Sequence, residues 1–180
     1  MTFTAPLSLK LGTVKFHVVQ GEHRVSGNPE ETLLTILGSC VSACLYDPIR
    51  RVGGMNHFLL ADGDGQEAMR YGAYAMEILI NDLLKIGASR DRLEAKLFGG
   101  AKIMERLNDI GAENILFARR FLATEGIPVV GESLGGRRAR RIEFWPVGGR
   151  ARQREIDQFV EAVEPRPAPR HVQDAAIELF

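Results

Sequence analysis

Both cysteines of the chain and one of its four histidines fall within Leu37–Leu60, LGSCVSACLYDPIRRVGGMNHFLL. A thiol attacks a carbonyl carbon only as thiolate, and an imidazolium beside it lowers the thiol pKa from about 8.5 by stabilising the anion. Cysteine and histidine within reach of each other therefore make a candidate nucleophile and base, beside the plainer reading of a core thiol and a hydrogen-bonded structural histidine. The intervening residues supply the reach. CVSACLY and RVGGMNHF flank DPIR, and Asp followed by Pro suits the first two positions of a type I turn. A hairpin centred between Pro48 and Ile49 sets Tyr46 opposite Arg51, Cys44 opposite Gly53 and Cys40 opposite His57. Opposed residues on one face have Cβ atoms about 4.5–5.5 Å apart, close enough for sulfur and ring nitrogen to hydrogen-bond. A bulge at Gly53-Gly54 would move that register.

A base of this kind needs a third group to hold its ring. Thr35, on the preceding apolar run, offers a hydroxyl to the second imidazole nitrogen, with Thr32 as the spare candidate. Gly38 and Ser39 make a tight turn into Cys40, where backbone N–H groups can converge on a developing oxyanion. Cys44 reads differently. It lies about 13 Å along a strand from Cys40, beyond disulfide reach, and free cysteine is among the most buried residue types. Cys40, Cys44 and His57 also lack the paired spacing and fourth ligand of a structural zinc site, so no metal is expected.

The elements that must carry these groups follow from periodicity. Gly12–Gln20 alternates Val14, Phe16 and Val18 against Lys15 and His17, the pattern of a half-buried strand, and Thr32–Leu37 reads as a second strand. From Ala68 to Ile86, Ala73, Met76, Ile80, Leu83 and Leu84 recur at helical spacing, with Gly87 placed as a C-terminal cap. RLEAKLFGG predicts a strand running into a glycine turn. AKIMERLNDIG predicts a helix closed by Gly111, and ENILFARRFLATEG another closed near Gly126. IPVVGESL and RRIEFWPV predict strands around the basic turn Gly135–Arg138. Strands early and late with helices between give an α/β chain of the α+β type.

At 180 residues and 45% hydrophobic, one domain with a substantial core is expected over residues 1–164. PRPAPR then makes an extended spacer within residues 165–180, leaving HVQDAAIELF as a tail that either docks elsewhere or folds back. Lys plus Arg equals Asp plus Glu at 23 each, which predicts no long-range attraction to nucleic acid or an anionic membrane. No run approaches the roughly 20 apolar residues of a membrane span. With no leader pattern at the N-terminus and no cysteine framework, a cytoplasmic protein is expected. The glycines of KLFGGAKIM match neither GxGxxG nor the P-loop spacing, and no cofactor is expected. Arg137, Arg138, Arg140 and Arg141 form a basic cluster that either steers an acidic partner or is a solvated turn.

TILGSCVSACLYDPIRRVGGMNHFLL, RYGAYAMEILINDLLKIGA and LEAKLFGGAKIM together resemble the CheD family of chemoreceptor glutamine deamidases, over about Leu11–Arg154. The resemblance implies a Cys-His-Thr triad on Cys40, His57 and Thr35. It implies a compact sandwich of mixed and antiparallel sheet with flanking helices, similar to the catalytic domain of the cytotoxic necrotizing factor toxins. It implies protein-glutamine glutaminase activity on the cytoplasmic helices of methyl-accepting chemotaxis receptors, and the CheC phosphatase as a further partner. The Asn-His and FGGA elements mark Asn56, Phe98, Gly99 and Gly100 as neighbours of the site, beside Gly38 and Ser39. Arg70 and Tyr71, opening the first helix, are candidates to receive the substrate or an ordinary solvated helix start. Two rivals remain open: a non-catalytic adaptor binding receptors or the phosphatase, and a small cysteine peptidase or transglutaminase-like enzyme.

Overall fold

The run VSACL in the middle of the chain has no polar alternation worth the name, which is what a strand covered on both faces requires. It lies in β4 (Val41–Asp47), the centre of a five-stranded sheet in the computed structural model, which describes residues 14–60, 65–103 and 109–157. That sheet runs β2 (His23–Ser26), β5 (Val52–Asn56), β4, β6 (Glu94–Gly99), β7 (Val129–Leu134), antiparallel except for the parallel β6–β7 pair. A second sheet runs β1 (Val14–His17), β3 (Glu31–Leu37), β8 (Ala139–Trp145), β9 (Arg150–Ile156), with only β1–β3 parallel. Two α-helices among the described residues, α1 (Gly65–Lys85) and α2 (Ile110–Thr124), cover the outer face of the five-stranded sheet. The fold is α+β, with two mixed sheets and two helices.

Alternation along β4 divides the core. Val41, Ala43 and Leu45 face Met76, Leu79, Ile80 and Leu83 of α1 and Phe117, Ala118 and Leu122 of α2. Cys40 and Cys44 face the other way, joining Leu33, Leu37, Met55, Phe98, Ile142 and Phe144 between the sheets. Each buried aliphatic side chain contributes about 1.5–3 kcal/mol, so these two layers hold the molecule together.

The first helix fulfils its sequence pattern. Gly87 follows it with its N–H on the Leu84 carbonyl at 3.0 Å, and the Ala88 N–H bonds Leu83 at 3.0 Å, a Schellman-type end. Ile127 repeats the arrangement onto Leu122 at 2.9 Å, behind Gly126. Gly111 corrects the reading. Residues 104–108 of the expected AKIMERLNDIG helix lie outside the described residues, Ala101–Ile103 are not helical, and Gly111 sits in the first turn of α2. Asp109 caps that helix, accepting from the Ala112 N–H at 3.0 Å. Glycine is required at 111 because a Cβ there would lie 2.5 Å from the Gly100 carbonyl oxygen. The strands β2 and β9 have no strong period-two pattern and were not expected from the sequence. The proline-rich spacer and the AAIELF tail lie outside the described residues.

The hairpin register also differs from expectation. Tyr46 pairs with Gly53 and Cys44 with Met55, two residues away from the register centred on Pro48–Ile49. A four-residue loop separates the last pair, Asp47 and Val52, because the Asp47 side chain accepts from the Ile49 and Arg50 N–H groups at 2.9 Å each and holds a wider turn. The Gly53-Gly54 pair is not a bulge. It lets neighbours approach: a Cβ on Gly54 would sit 2.6 Å from the Arg24 carbonyl of β2, and one on Gly53 2.5 Å from the Pro146 carbonyl.

Candidate active site

A register shift of two residues keeps every side chain on its face, so Cys40 and His57 still look into the space between the sheets. Val41 and Phe58, the next residue of each, form the last bridge of the ribbon through reciprocal hydrogen bonds of 3.0 and 2.9 Å. Cys40 and His57 are thus diagonal rather than directly opposed neighbours, a separation a histidine ring can span. Both are buried, at 3% and 8% exposure, and Thr35 joins them from β3 of the facing sheet at 3%.

The Thr35 hydroxyl fixes the state of the ring. Its Oγ1 lies 2.8 Å from the Val18 carbonyl oxygen and 2.9 Å from His57 Nδ1. A carbonyl can only accept, so the single hydroxyl proton goes to Val18, and Thr35 must accept from Nδ1–H. The Val18 oxygen, 3.4 Å from the same nitrogen, reinforces this tautomer. The proton therefore resides on Nδ1, and Nε2 carries the basic lone pair. Thr32 is on the opposite face of β3 and has no such contact; Thr35 is the threonine that meets the histidine.

The turn into Cys40 is held from one side. Gly38, Ser39 and Cys40 present three successive carbonyls, and these accept from Ala101 N–H at 2.8 Å, Asn114 Nδ2 at 2.9 Å and Gly100 N–H at 2.7 Å. A trans peptide sets its N–H opposite its carbonyl, so the Ser39 and Cys40 N–H groups are aimed away from the glycine turn and α2. Gly99 is held at φ +108°, where a Cβ would come 2.1 Å from the Cys40 oxygen. Gly99 and Gly100 thus clamp the backbone of Cys40, and Phe98 packs in the same inter-sheet cluster. Asn114 is a residue sequence reading missed. Its Oδ1 also accepts from Leu60 N–H at 2.7 Å, tying both flanks of the site to α2. The available signal was a lone polar residue on the buried stripe Gly111, Asn114, Ala118, Leu122.

Asn56 lies beside His57 in sequence but spends its amide elsewhere. Its Oδ1 accepts from Ala43 N–H at 2.9 Å and its Nδ2 donates to the Ala75 carbonyl at 3.0 Å, so it staples the ribbon to α1. Arg70 is exposed along an open hollow with Gly65, Gln66 and Met69. Tyr71 stands closer: burial first, and the neighbouring Cys40 charge second, hold its phenol above the ordinary tyrosine range. Gln20 was not anticipated at all. Its Oε1 lies 3.5 Å from Cys40 Sγ, in hydrogen-bonding range for sulfur.

Cys44 occupies the plain core expected of it. It is fully buried, and burial pushes its thiol up to about 12 against the opposing pulls of Ser42 and Lys96. The basic cluster is corrected in one member. Arg140 is buried at 5% exposure, donating to the Ser133 carbonyl at 2.6 Å, to Ser133 Oγ at 3.0 Å and to the Gly135 carbonyl, whereas Arg137, Arg138 and Arg141 are exposed. Trp145 packs at the end of β8 beneath the Arg150 guanidinium, 4.0 Å from the ring centre. Among the described residues no group of three or more metal-ligating side chains converges, and no helix is long and apolar enough to cross a membrane.

Comparison with known proteins agrees with the sequence resemblance. The family model described as CheD chemotactic sensory transduction matches residues 59–155, beginning just past His57. A probable chemoreceptor glutamine deamidase CheD of Caulobacter vibrioides is 56% identical over 93% of this chain and 94% of its own. That of Acidiphilium cryptum is 66% identical over 77% of this chain and 76% of its own, and that of Rhizobium rhizogenes 54% identical over 92% and 96%. An alignment over 93% of the chain necessarily spans Thr35, Cys40 and His57. Among solved structures, Bacillus licheniformis hypothetical protein YfiH matches with a TM-score of 0.42 at 17% identity, over 62% of this chain and 49% of its own. Neisseria meningitidis NMB0706, of family model DUF152, matches with a TM-score of 0.42 at 12% identity, over 68% and 62%. Neither is a cytotoxic necrotizing factor domain, and likeness at this level carries no argument about function. The sequence relatives and the family match settle the affiliation: the chain belongs to the CheD family.

Proposed function

We propose that this protein is a chemoreceptor glutamine deamidase of chemotaxis, the activity its CheD relatives are named for, with Cys40 as nucleophile, His57 as acid and base, and Thr35 as the group that holds the ring. The observation that carries the reading is the hydrogen-bonded chain from the Val18 carbonyl through Thr35 to His57 Nδ1. It leaves Nε2 as the basic nitrogen on the face that Cys40 shares.

The steps follow from that arrangement. Nε2 takes the thiol proton, and the thiolate adds to the side-chain carbonyl carbon of a receptor glutamine. The oxygen becomes an oxyanion, which the Cys40 and Ser39 N–H groups are oriented to meet. The imidazolium then protonates the departing nitrogen, the C–N bond breaks, and ammonia leaves a thioester on Cys40. Water, deprotonated by Nε2, adds to the thioester carbon and releases glutamate and the thiol. Each turnover consumes one water and one amide and yields one carboxylate and one ammonia.

The cytoplasmic helices of methyl-accepting receptors as substrate, a cytoplasmic place of action and a CheC-type phosphatase as partner belong to this same reading. So do a single deamidase domain over residues 1–164 and a fold kinship with the cytotoxic necrotizing factor domain, which direct superposition of the two cores tests. The activity is tested by mass spectrometry of a receptor cytoplasmic fragment before and after exposure to the enzyme. Conversion of defined glutamines to glutamate, with ammonia released and both lost in Cys40→Ala and His57→Ala, is the expected result. Cleavage of the fragment identifies a peptidase instead, and binding without conversion identifies an adaptor.

A further inference from the structure

We propose that Gln20 is a catalytic residue of this site, its carboxamide capping the Cys40 thiol at rest and donating Nε2–H to the oxyanion during reaction. The inference rests on the reading of Cys40 as nucleophile. It starts from an oddity of placement: an exposed polar side chain reaches a thiol that is only 3% exposed.

The backbone under Gln20 is built to hold it there. Val19–Glu22 is a tight turn closed by the Glu22 N–H on the Val19 carbonyl at 3.0 Å, and Gly21 takes φ +84°. That is a type II turn with Gln20 at its second position and glycine where φ must be positive. The turn is bolted to the base itself. Gly21 N–H donates to the His57 carbonyl at 2.8 Å, and His57 N–H donates to the Glu22 carbonyl at 3.0 Å. On the far side, the Tyr71 hydroxyl would be 3.4 Å from a Cβ on Gly21, so the phenol of α1 backs the turn. Val18, two residues earlier, supplies the carbonyl that orients Thr35 and His57. One short segment therefore aligns the imidazole and delivers a carboxamide to the sulfur.

A carboxamide suits both states of that sulfur. With Cys40 protonated, S–H donates to Oε1, the contact in the structure. Once the proton has moved to His57, Oε1 would face an anion, and a half-turn about the last side-chain bond presents Nε2–H instead. Hydrogen bonds to a charged acceptor are roughly twice as strong as neutral ones, so the donating orientation prevails in the thiolate. The substrate oxygen develops its charge one bond from the carbon that sulfur attacks, within the sweep of the same amide. The backbone N–H groups of Ser39 and Cys40 and the side chain of Gln20 then contribute from two separate segments.

The experiment compares wild type, Gln20→Ala and Gln20→Glu in steady-state deamidation of a receptor cytoplasmic fragment, with Cys40→Ala alongside. Residue 20 sits exposed on a turn, so unchanged circular dichroism and melting are expected for both variants. Gln20→Ala is expected to lose kcat by on the order of 10²-fold, the scale for removing one oxyanion donor, with KM little changed. Gln20→Glu keeps the shape but offers only acceptors, and is expected to fall at least as far. Wild-type kcat in either variant, a change confined to KM, or a Glu variant more active than the Ala variant overturns the proposal, since each makes the residue a spacer or a substrate contact. So does finding glutamate at position 20 in purified active wild-type enzyme. Activity surviving in Cys40→Ala defeats the underlying assignment of the nucleophile, whereas a dead Cys40→Ala beside fully active Gln20 variants defeats only the role of Gln20.

Discussion

Cys40 and Cys44 stand on the same face of one ribbon and look into the same space between two sheets. Their exposures, 3% and 0%, hardly differ. What differs is the polar company. Cys44 has Ser42 Oγ at 4.0 Å, Lys96 as its strand partner and Met55 and its apolar neighbours around it, and burial outweighs both polar groups to drive its thiol up to about 12. Cys40 sits where the ribbon ends, so strand pairing gives way to the Gln20 turn, the His57 ring and the glycine clamp. Burial alone makes a thiol inert. Polar groups gather around Cys40 because the open end of the sheet has room for them.

The sharpest way to break this contrast is to remove each sulfur in turn. Cys40→Ala is expected to abolish ammonia release, by at least about 10³-fold, with the fold intact by circular dichroism. Cys44→Ala is expected to keep kcat within a few-fold while losing about 1–2 kcal/mol of stability in denaturant melts, the cost of a small buried cavity. Iodoacetamide on the native protein, followed by peptide mapping, should label Cys40 and leave Cys44 untouched up to about pH 10, since only the thiolate reacts. Equal labelling of both would end the distinction.

Smaller losses should trace the chain of hydrogen bonds outward. His57→Ala is expected to approach the Cys40 effect, because the base is lost with the ring. Thr35→Val is expected to cost about tenfold in kcat, since the Val18 carbonyl remains to accept from Nδ1–H, and Thr35→Ser should restore most of it. Asn114→Ala removes the hydrogen bonds to the Leu60 N–H and the Ser39 carbonyl, a loss of about 1–3 kcal/mol. Its melt should fall by that amount, while kcat drops several-fold as the turn into Cys40 loosens.

The contrast also explains which residues the sequence could reveal. Cys40, His57 and Thr35 are legible because each stands in strong local pattern: apolar strands, an Asp-Pro turn, a Gly-Ser break. Parity did the rest, since a register wrong by two residues still puts Cys40 and His57 on one face. The expected register failed because Asp47 caps its own turn and widens the loop, a side-chain effect invisible to hairpin templates. Gln20 and Asn114 were illegible for a different reason. Gln20 reaches the Cys40 sulfur from β1's exit turn and Asn114 reaches the neighbouring Ser39 carbonyl from α2, so nothing within a local window relates them to a thiol. Gly111 misled because a glycine needed for close approach to Gly100 looks, in sequence, like a glycine that ends a helix. Edge strand β9 is polar on most positions and carries no period-two signal.

The mildest prediction concerns the other end of the same ribbon. Asp47 is fully buried, which by itself would raise its carboxyl, yet Arg92 and the N–H groups of Arg50, Ser89 and Ile49 outweigh burial and hold it well below the usual carboxylate range. A carboxyl so depressed contributes stability above its unfolded pKa, about 3.9, and loses it as pH falls through the folded value. Asp47→Asn should therefore melt earlier than wild type at pH 7, by about 1–3 kcal/mol, and the gap should close as pH drops below about 4. The substitution removes an acceptor from the turn that sets the register, so kcat should fall only a few-fold: Val41–Phe58 still pins the ribbon beside Cys40. A loss of activity as deep as that of Cys40→Ala, at unchanged stability, would mean that the turn and not the open end governs the thiol.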